Sequence, residues 1–247
     1  MMLPYFALAG YYDELTEDVS YSSFADFYER IFSLYGCRPI SVIDLACGTG
    51  SMTAELSRRG YDLIAVDRSP EMLMQAREKL SACTPQPLLI CQDLEELDLY
   101  GTSDAAVCTL DGMNYIPREK LARVFDRIRL FLNPGGLLVF DCLAEHALRE
   151  LDGQIFLDER ADVFCVWRTD FDEDSRSCVY CMDLFEKQGR LWRRDTEEHV
   201  EYAHTTNELE DVLRRSGFTD VRFFADRKTE GPSPQERRFF CAARKML

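Results

Sequence analysis

The chain predicts an α/β fold: a doubly wound, mostly parallel sheet with a small antiparallel β insert. Three observations carry that expectation. Between residues 40 and 141, short apolar runs alternate five times with stretches of helical spacing or turn residues. Four of these runs end in an acid, and the first acid opens a glycine turn, Asp44-Leu45-Ala46-Cys47-Gly48-Thr49-Gly50. After about Asp152 the spacing changes to apolar–polar alternation, the signature of half-buried antiparallel strands.

The elements follow in order. Phe24, Phe27, Ile31 and Leu34 mark a helix from about Ser22 to Tyr35, capped by Ser22 or Ser23 and ended by Gly36. The first strand is Ile40 to Leu45, and a helix from Ser51 to Arg59 stops at Gly60. A second strand, Asp62 to Val66, ends in Asp67. Ser69-Pro70-Glu71 then starts a helix to about Ala82, with proline in the first turn. The third strand, Pro87 to Cys91, ends at Gln92-Asp93. The fourth, Asp104 to Leu110, ends at Asp111-Gly112. A helix spans Arg118 to Phe131, Asn133-Pro134-Gly135-Gly136 is a turn, and Leu137 to Asp141 is the fifth strand. Residues 154–202 predict three or four antiparallel strands, broken at Asp172–Ser175 and Gln188–Arg190. A helix from Thr206 to Ser216 is capped by Gly217, and two strands, Thr219 to Phe224 and Arg238 to Arg244, close the chain.

Composition narrows the class. With 247 residues, 46% hydrophobic and 30% charged, the chain can bury a sizeable core. A net charge of −15 repels phosphate backbones, so no nucleic-acid partner is expected. The apolar start, Met1–Gly10, lacks a basic region and reads as no signal peptide, and no run approaches the ~20 residues of a membrane span. A cytoplasmic location is expected. The ten cysteines sit in apolar runs and read as small buried hydrophobes with free thiols. Strand alternation would turn Cys178 and Cys181 to opposite faces, so no metal site is expected.

The carboxyl ends of parallel strands share one sheet edge, so Asp44, Asp67, Asp93 and Asp111 should converge there. Each suits an ordinary cap or loop, but four in register point to a ligand. Asp67, after the second strand, suits a ribose with two free hydroxyls. Asp93 can accept from an adenine amine, and Met72 can pack on the adenine face. The glycine turn does not complete the nicotinamide fingerprint: Gly48 and Gly50 are followed by Thr53, and Ala46 and Gly48 by Ser51. It also lacks the lysine of a phosphate-cradling loop. A cationic ligand explains surrounding acids better than a diphosphate does.

At these residues the chain resembles class I S-adenosylmethionine-dependent methyltransferases. Asp44–Gly50 is similar to that family's first motif and Val66-Asp67-Arg68-Ser69-Pro70-Glu71-Met72-Leu73 to its second. Gln92-Asp93-Leu94, Leu110–Tyr115 and Asn133–Gly136 fit the same pattern, strongly over residues 40–145. The layout is similar to small bacterial enzymes with an antiparallel insert before the last helix, including amino-sugar N-methyltransferases. The resemblance implies seven strands, the last antiparallel, and an insert over the active site. It divides the chain into a Rossmann-like cofactor domain with an N-terminal helical lid (1–152 and 203–247) and a substrate-side insert (153–202).

It also implies site roles. Asp44 and the loop Ala46, Cys47, Gly48 and Gly50 would face the methionine part of S-adenosylmethionine. Asp67 would bind ribose, Arg68 and Met72 would flank adenine, and Asp93 with Leu94 would hold its amine edge. Tyr12 and Tyr21 would close the site, and Leu110 and Asp111 would line the sulfonium end. Methyl transfer has no obligatory catalytic residue. Asp111, Tyr115 and His199 are candidate bases, while His146 and His204 read as surface or capping residues. The expected partner is a small-molecule methyl acceptor, the assembly a monomer or homodimer. Two alternatives stay open: an NAD-dependent oxidoreductase, and a non-catalytic S-adenosylmethionine-binding protein.

Overall fold

The computed structural model describes residues 7–246; the first six residues of the apolar start lie outside them. A 3₁₀ turn (Leu8–Gly10) and a short helix α1 (Tyr12–Leu15) precede α2 (Tyr21–Leu34). The alternating region is β1 (Ser41–Leu45), α3 (Ser51–Arg58), β2 (Asp62–Asp67), α4 (Pro70–Lys79), β3 (Leu88–Cys91), β4 (Ser103–Cys108), α5 (Leu121–Leu130) and β5 (Leu132–Leu143). Helix α6 (Glu145–Arg149) leads into β6 (Ile155–Glu159), β7 (Val163–Asp172), β8 (Ser177–Gln188) and β9 (Leu191–Tyr202). The chain closes with α7 (Thr206–Arg215), β10 (Phe218–Ala225) and β11 (Arg238–Lys245).

Two sheets form. The larger has seven strands in the order β10-β11-β5-β4-β1-β2-β3, and β11 runs antiparallel to both its neighbours. The smaller is the antiparallel run β6-β7-β8-β9. Strand order reverses between β1 and β4, which opens a crevice at their carboxyl ends.

Alternation along each strand feeds two apolar layers. Ile43, Leu45, Ala106, Cys108, Leu138 and Phe140 pack with Phe125, Ile128, Leu209 and Leu213 on one face. Val42, Ala105, Val107, Leu137 and Val139 pack with Phe27, Tyr28, Ile31 and Leu56 on the other. Such double burial explains why these strands read as nearly continuous apolar runs. Local chemistry fixes the helix starts. Ser69 Oγ accepts from the Met72 amide at 3.1 Å with Pro70 at the first position. Thr205 and Glu208 form a reciprocal capping box on α7.

The differences from expectation are local. The helix expected to reach Ala82 ends at Lys79 and tightens into a 3₁₀ turn. The Asn133–Gly136 turn lies inside β5 as an irregularity in its pairing with β4, where a Cβ on Gly136 would sit 2.8 Å from the Asn133 carbonyl oxygen. Strand β4 stops at Cys108 rather than Leu110, because Leu110 and Asp111 adopt φ of 57° and 55°. His204, expected at the surface or as a cap, is 1% exposed, and burial pushes its pKa down to about 4. Six of the ten free cysteines are buried. Cys178 packs with Leu148 and Phe171, while Cys181 turns to the other face.

Candidate functional site

The β1–α3 loop is shaped by backbone conformations that side chains disfavour. Ala46, Gly48 and Gly50 have φ of 53°, 54° and 77°. Gly50 is the N-cap of α3, and a Cβ there would lie 3.1 Å from both Ala76 Cβ and Leu80 Cδ1. Its lack of a side chain lets the loop sit on α4. Asp67 ties this loop to the next: Gly48 N–H donates to Oδ2 and Ser69 N–H to Oδ1, both at 2.8 Å. Asp44 is buried and accepts from Thr53 Oγ1 at 2.5 Å. Burial, with Asp67 nearby, pushes Asp44 up to about 7. Burial also raises Asp67, against the two amides that favour its ionised form.

Across the crevice, the strained Leu110-Asp111 pair is held from β5 and β11. Asp141 accepts the Leu110 amide at 2.9 Å and the Asp111 amide at 3.1 Å. Arg238 pairs with both Asp111 and Asp141. Burial pushes Asp141 up to about 6 even beside Arg238. Burial opposes the charge of Arg238, but Asp111 and Asp141 outweigh it and raise its pKa.

A cavity lies between these loops. Asp44, Ala46, Cys47 and Gly48 line it, together with Asp67, Arg68, Met72, Asp93 and Leu94. Tyr12, Tyr21 and Leu110, also expected, line it too. Thr49, Gln92 and Gly112, which stand inside the motifs quoted from sequence, also line it, as do Met52, Thr109 and Ile116, which were not singled out, and Tyr115 joins them. Their adjacency in sequence to the strand ends is the signal that could have found them. Two expected residues do not line the cavity. Gly50 packs on α4, and Asp111 turns toward Arg238 and lines a neighbouring cavity.

The N-terminal segment straps the site. Asp13 accepts from Thr49 Oγ1 at 2.6 Å and pairs with Lys79 at 2.7 Å, tying α1 to the β1–α3 loop and α4. Tyr11 donates to Glu186 at 2.9 Å and the Leu8 amide to Glu197 at 3.0 Å, tying the same segment to β8 and β9. Two further cavities open beside the first. Arg68, Asp93, Tyr115, Cys181, Glu197 and His199 contribute to one. The other has Leu8, Tyr12, Leu110, Asp111, Tyr115, Phe156, Trp167, Tyr180, His199 and Glu201 in its walls. Tyr115 borders all three. The candidates Asp111, Tyr115 and His199 thus meet at one cavity. Glu201 joins them there, and Glu197 lines the cavity beside it; both lie on the His199 face of β9, and strand alternation from His199 would have found them.

A switch-point cavity walled by carboxylates, on a seven-stranded sheet with its last strand antiparallel, is that of a class I methyltransferase. Comparison with known proteins agrees. A methyltransferase-domain family matches residues 42–136. YqeM of Bacillus subtilis (strain 168), a protein that bears a methyltransferase name, is 30% identical over 244 residues, covering 98% of this chain and 97% of that protein. The S-adenosylmethionine-dependent methyltransferase of Clostridium acetobutylicum ATCC 824 matches with a TM-score of 0.85 at 26% identity, over 96% of each chain. The sugar N-methyltransferase KedS8 of Streptoalloteichus sp ATCC 53650 shares the fold, with a TM-score of 0.82 at 20% identity, over 100% of this chain and 95% of that one.

The chain belongs to the S-adenosylmethionine-dependent methyltransferases, and S-adenosylmethionine is its methyl donor. This sets aside the NAD-dependent and non-catalytic readings. The residues present fit a sulfonium cofactor: among the described residues, the cavity's charged side chains are Asp44, Asp67 and Asp93 against Arg68 alone. Gly48 adds room, since a Cβ there would meet nothing within 4 Å.

Proposed function

We propose that this enzyme methylates a small-molecule acceptor at nitrogen or oxygen, bound in the cavity walled by Asp111, Tyr115, Trp167, Tyr180, His199 and Glu201. The observation that carries this reading is a shared wall: Tyr12, Leu110 and Tyr115 border both this cavity and the one assigned to the methyl donor. Two neighbours by fold support it. KedS8 is named a sugar N-methyltransferase, and CalS10, with a TM-score of 0.73 at 20% identity, an amino pentose methyltransferase. In this reading, residues 1–152 and 203–247 hold the cofactor and residues 153–202 face the acceptor.

Each cofactor role follows from position and chemistry. Asp44 and the loop from Ala46 to Gly48 face the methionine end, where a carboxylate meets a cation. Asp67 keeps lone pairs for the ribose hydroxyls while its two amide bonds fix its orientation. Arg68 and Met72 flank adenine, with Asp93 and Leu94 at its amine edge. Tyr12 and Tyr21 close the site, their ring faces suited to a sulfonium. Leu110 lines the sulfonium end. Asp111 belongs instead to the acceptor side, given its pairing with Arg238.

S-adenosylmethionine, when bound, supplies a methyl group on a sulfonium that departs as a neutral thioether. The chain supplies alignment, which can lower the barrier by roughly 7–11 kcal/mol. Asp141 and Arg238 hold the Leu110-Asp111 turn between donor and acceptor, and the strap covers it. Turnover of labelled methyl donor over a panel of small amines and hydroxyl compounds tests the reading. Activity on the panel is expected. Tight tRNA or rRNA binding at physiological salt, with methylation of the RNA, overturns it.

A further inference from the structure

One face of the four-stranded sheet gives the acceptor cavity both aromatic rings and charge. Phe156 on β6 lies directly opposite Trp167 on β7. Thr169, two residues on, lies opposite Tyr180 on β8, and Tyr180 lies opposite His199 on β9, two residues before Glu201. Opposed and alternate residues share a face, so Phe156, Trp167, Tyr180 and Glu201 line the cavity together. Glu201 is 5% exposed and accepts from the Tyr180 hydroxyl at 3.2 Å. Asp111 adds a second carboxylate to the lining, and among the described residues no lysine or arginine lines it. The cation that Glu201 feels is Arg238, which already pairs with Asp111 and Asp141, so three acids share one guanidinium. Burial and Asp111 raise the pKa of Glu201, and a further cation would favour its ionised form. Leu8, Val19 and Leu110 add apolar surface, and Thr16 is the one aliphatic hydroxyl in the lining among the described residues.

We infer that the methyl acceptor is an amine bound as its ammonium ion and carried on an apolar body, and that Glu201 with the rings of Trp167 and Tyr180 selects it over neutral acceptors. The inference rests on the small-molecule reading above. The carboxylates attract an ammonium through charge, and aromatic rings attract it through their quadrupoles. An apolar body gains by burial against the leucines and rings. A polyhydroxylated body would leave hydroxyls short of partners in such a lining. For transfer, the ammonium gives one proton to solution. The freed lone pair forms the bond to the methyl carbon, and the methyl–sulfur bond breaks with its pair on sulfur. The product is again an ammonium, now N-methylated.

Isothermal titration calorimetry on the S-adenosylhomocysteine complex tests this with matched probes: phenethylamine, its trimethylammonium analogue, phenethyl alcohol and glucosamine. The trimethylammonium probe reads charge with no proton to lose. Both phenethyl cations are expected to bind at least about tenfold more tightly than the alcohol, and phenethylamine more tightly than glucosamine. Glu201→Gln keeps the side-chain shape and should cut the preference for the cations to below about threefold. Trp167→Leu should weaken the trimethylammonium probe at least about threefold. Both variants should keep the native affinity for S-adenosylhomocysteine. The inference is overturned if no probe binds, if the alcohol binds within about threefold of the amine, if glucosamine binds more tightly than phenethylamine, or if the preference survives Glu201→Gln. The native comparison needs no variant, so it decides if either variant fails to bind S-adenosylhomocysteine. Methylation of small hydroxyl compounds without preference for cations would overturn this inference and leave the small-molecule reading standing. Methylation of RNA alone would overturn both.

Discussion

Asp67 accepts the Gly48 backbone amide through Oδ2 at 2.8 Å, so the acid at the end of β2 also fixes the glycine loop after β1. The proposed ribose contact and the loop geometry therefore depend on one side chain. Asp67→Ala is expected to weaken S-adenosylhomocysteine binding at least about tenfold, a loss of roughly 1.4 kcal/mol or more. Isothermal titration calorimetry measures it; unchanged affinity removes Asp67 from the ribose role.

Cofactor binding is expected to depend on pH, on the proposed role of Asp44. Its pKa of about 7 leaves it largely neutral in mildly acidic solution without ligand. A cation beside it favours the ionised form, so binding releases a proton below about pH 7. Affinity should fall up to about tenfold per pH unit as pH drops below 7, and level off above it. Asp44→Asn should bind more weakly at pH 8 and lose this dependence. A native pH profile that is flat from 5.5 to 8 would count against the assignment.

The same shift bears on folding. The folded pKa of Asp44 lies above the unfolded value of about 3.9, so the native state binds this proton more tightly. Its contribution to stability therefore declines as pH rises from about 4 to about 7. Without ligand, Asp44→Asn should gain Tm relative to the native chain as pH rises through that window. Calorimetric scans of both proteins across it provide the check.

Arg238 is the counter-charge for two carboxylates, the buried Asp141 and the partly buried Asp111. Arg238→Met leaves both uncompensated, a loss on the order of 3–5 kcal/mol, or roughly 10 °C in Tm. It should also loosen the Leu110-Asp111 turn and weaken cofactor binding. A Tm within 2 °C of native would show that the pair is not holding the turn.

Gly50 gives a purely conformational test. Gly50→Ala must adopt φ of 77° and place its Cβ 3.1 Å from Ala76 and Leu80. A stability loss of about 1–3 kcal/mol is expected by urea denaturation.

The frame was legible because its central strands β1 and β4 are short, apolar on both faces and followed by polar turns. Ser69-Pro70 and the Thr205–Glu208 pair announced their helices through capping chemistry alone. Asp111 was not legible in the same way. Its left-handed backbone is held by Asp141 and Arg238, residues far along the chain, and no local spacing reveals them. Helix α6 escaped for a related reason, and α1 was expected only through the N-terminal lid that the resemblance implies: five and four residues carry too little periodicity to read, and contacts to other elements hold them. Glu197 and Glu201 were readable in principle, since acids on the buried face of a strand announce partners.

Among the described residues, the two sheets share no ladder of backbone hydrogen bonds. Each keeps its own register, so a change of side chain on β7, β8 or β9 need not disturb the strands that end at Asp44 and Asp67. Lineages built on this plan can drift in one sheet while the other stays under constraint. On the proposed division of roles, reassigning what is methylated requires no renegotiation of how the methyl group is delivered.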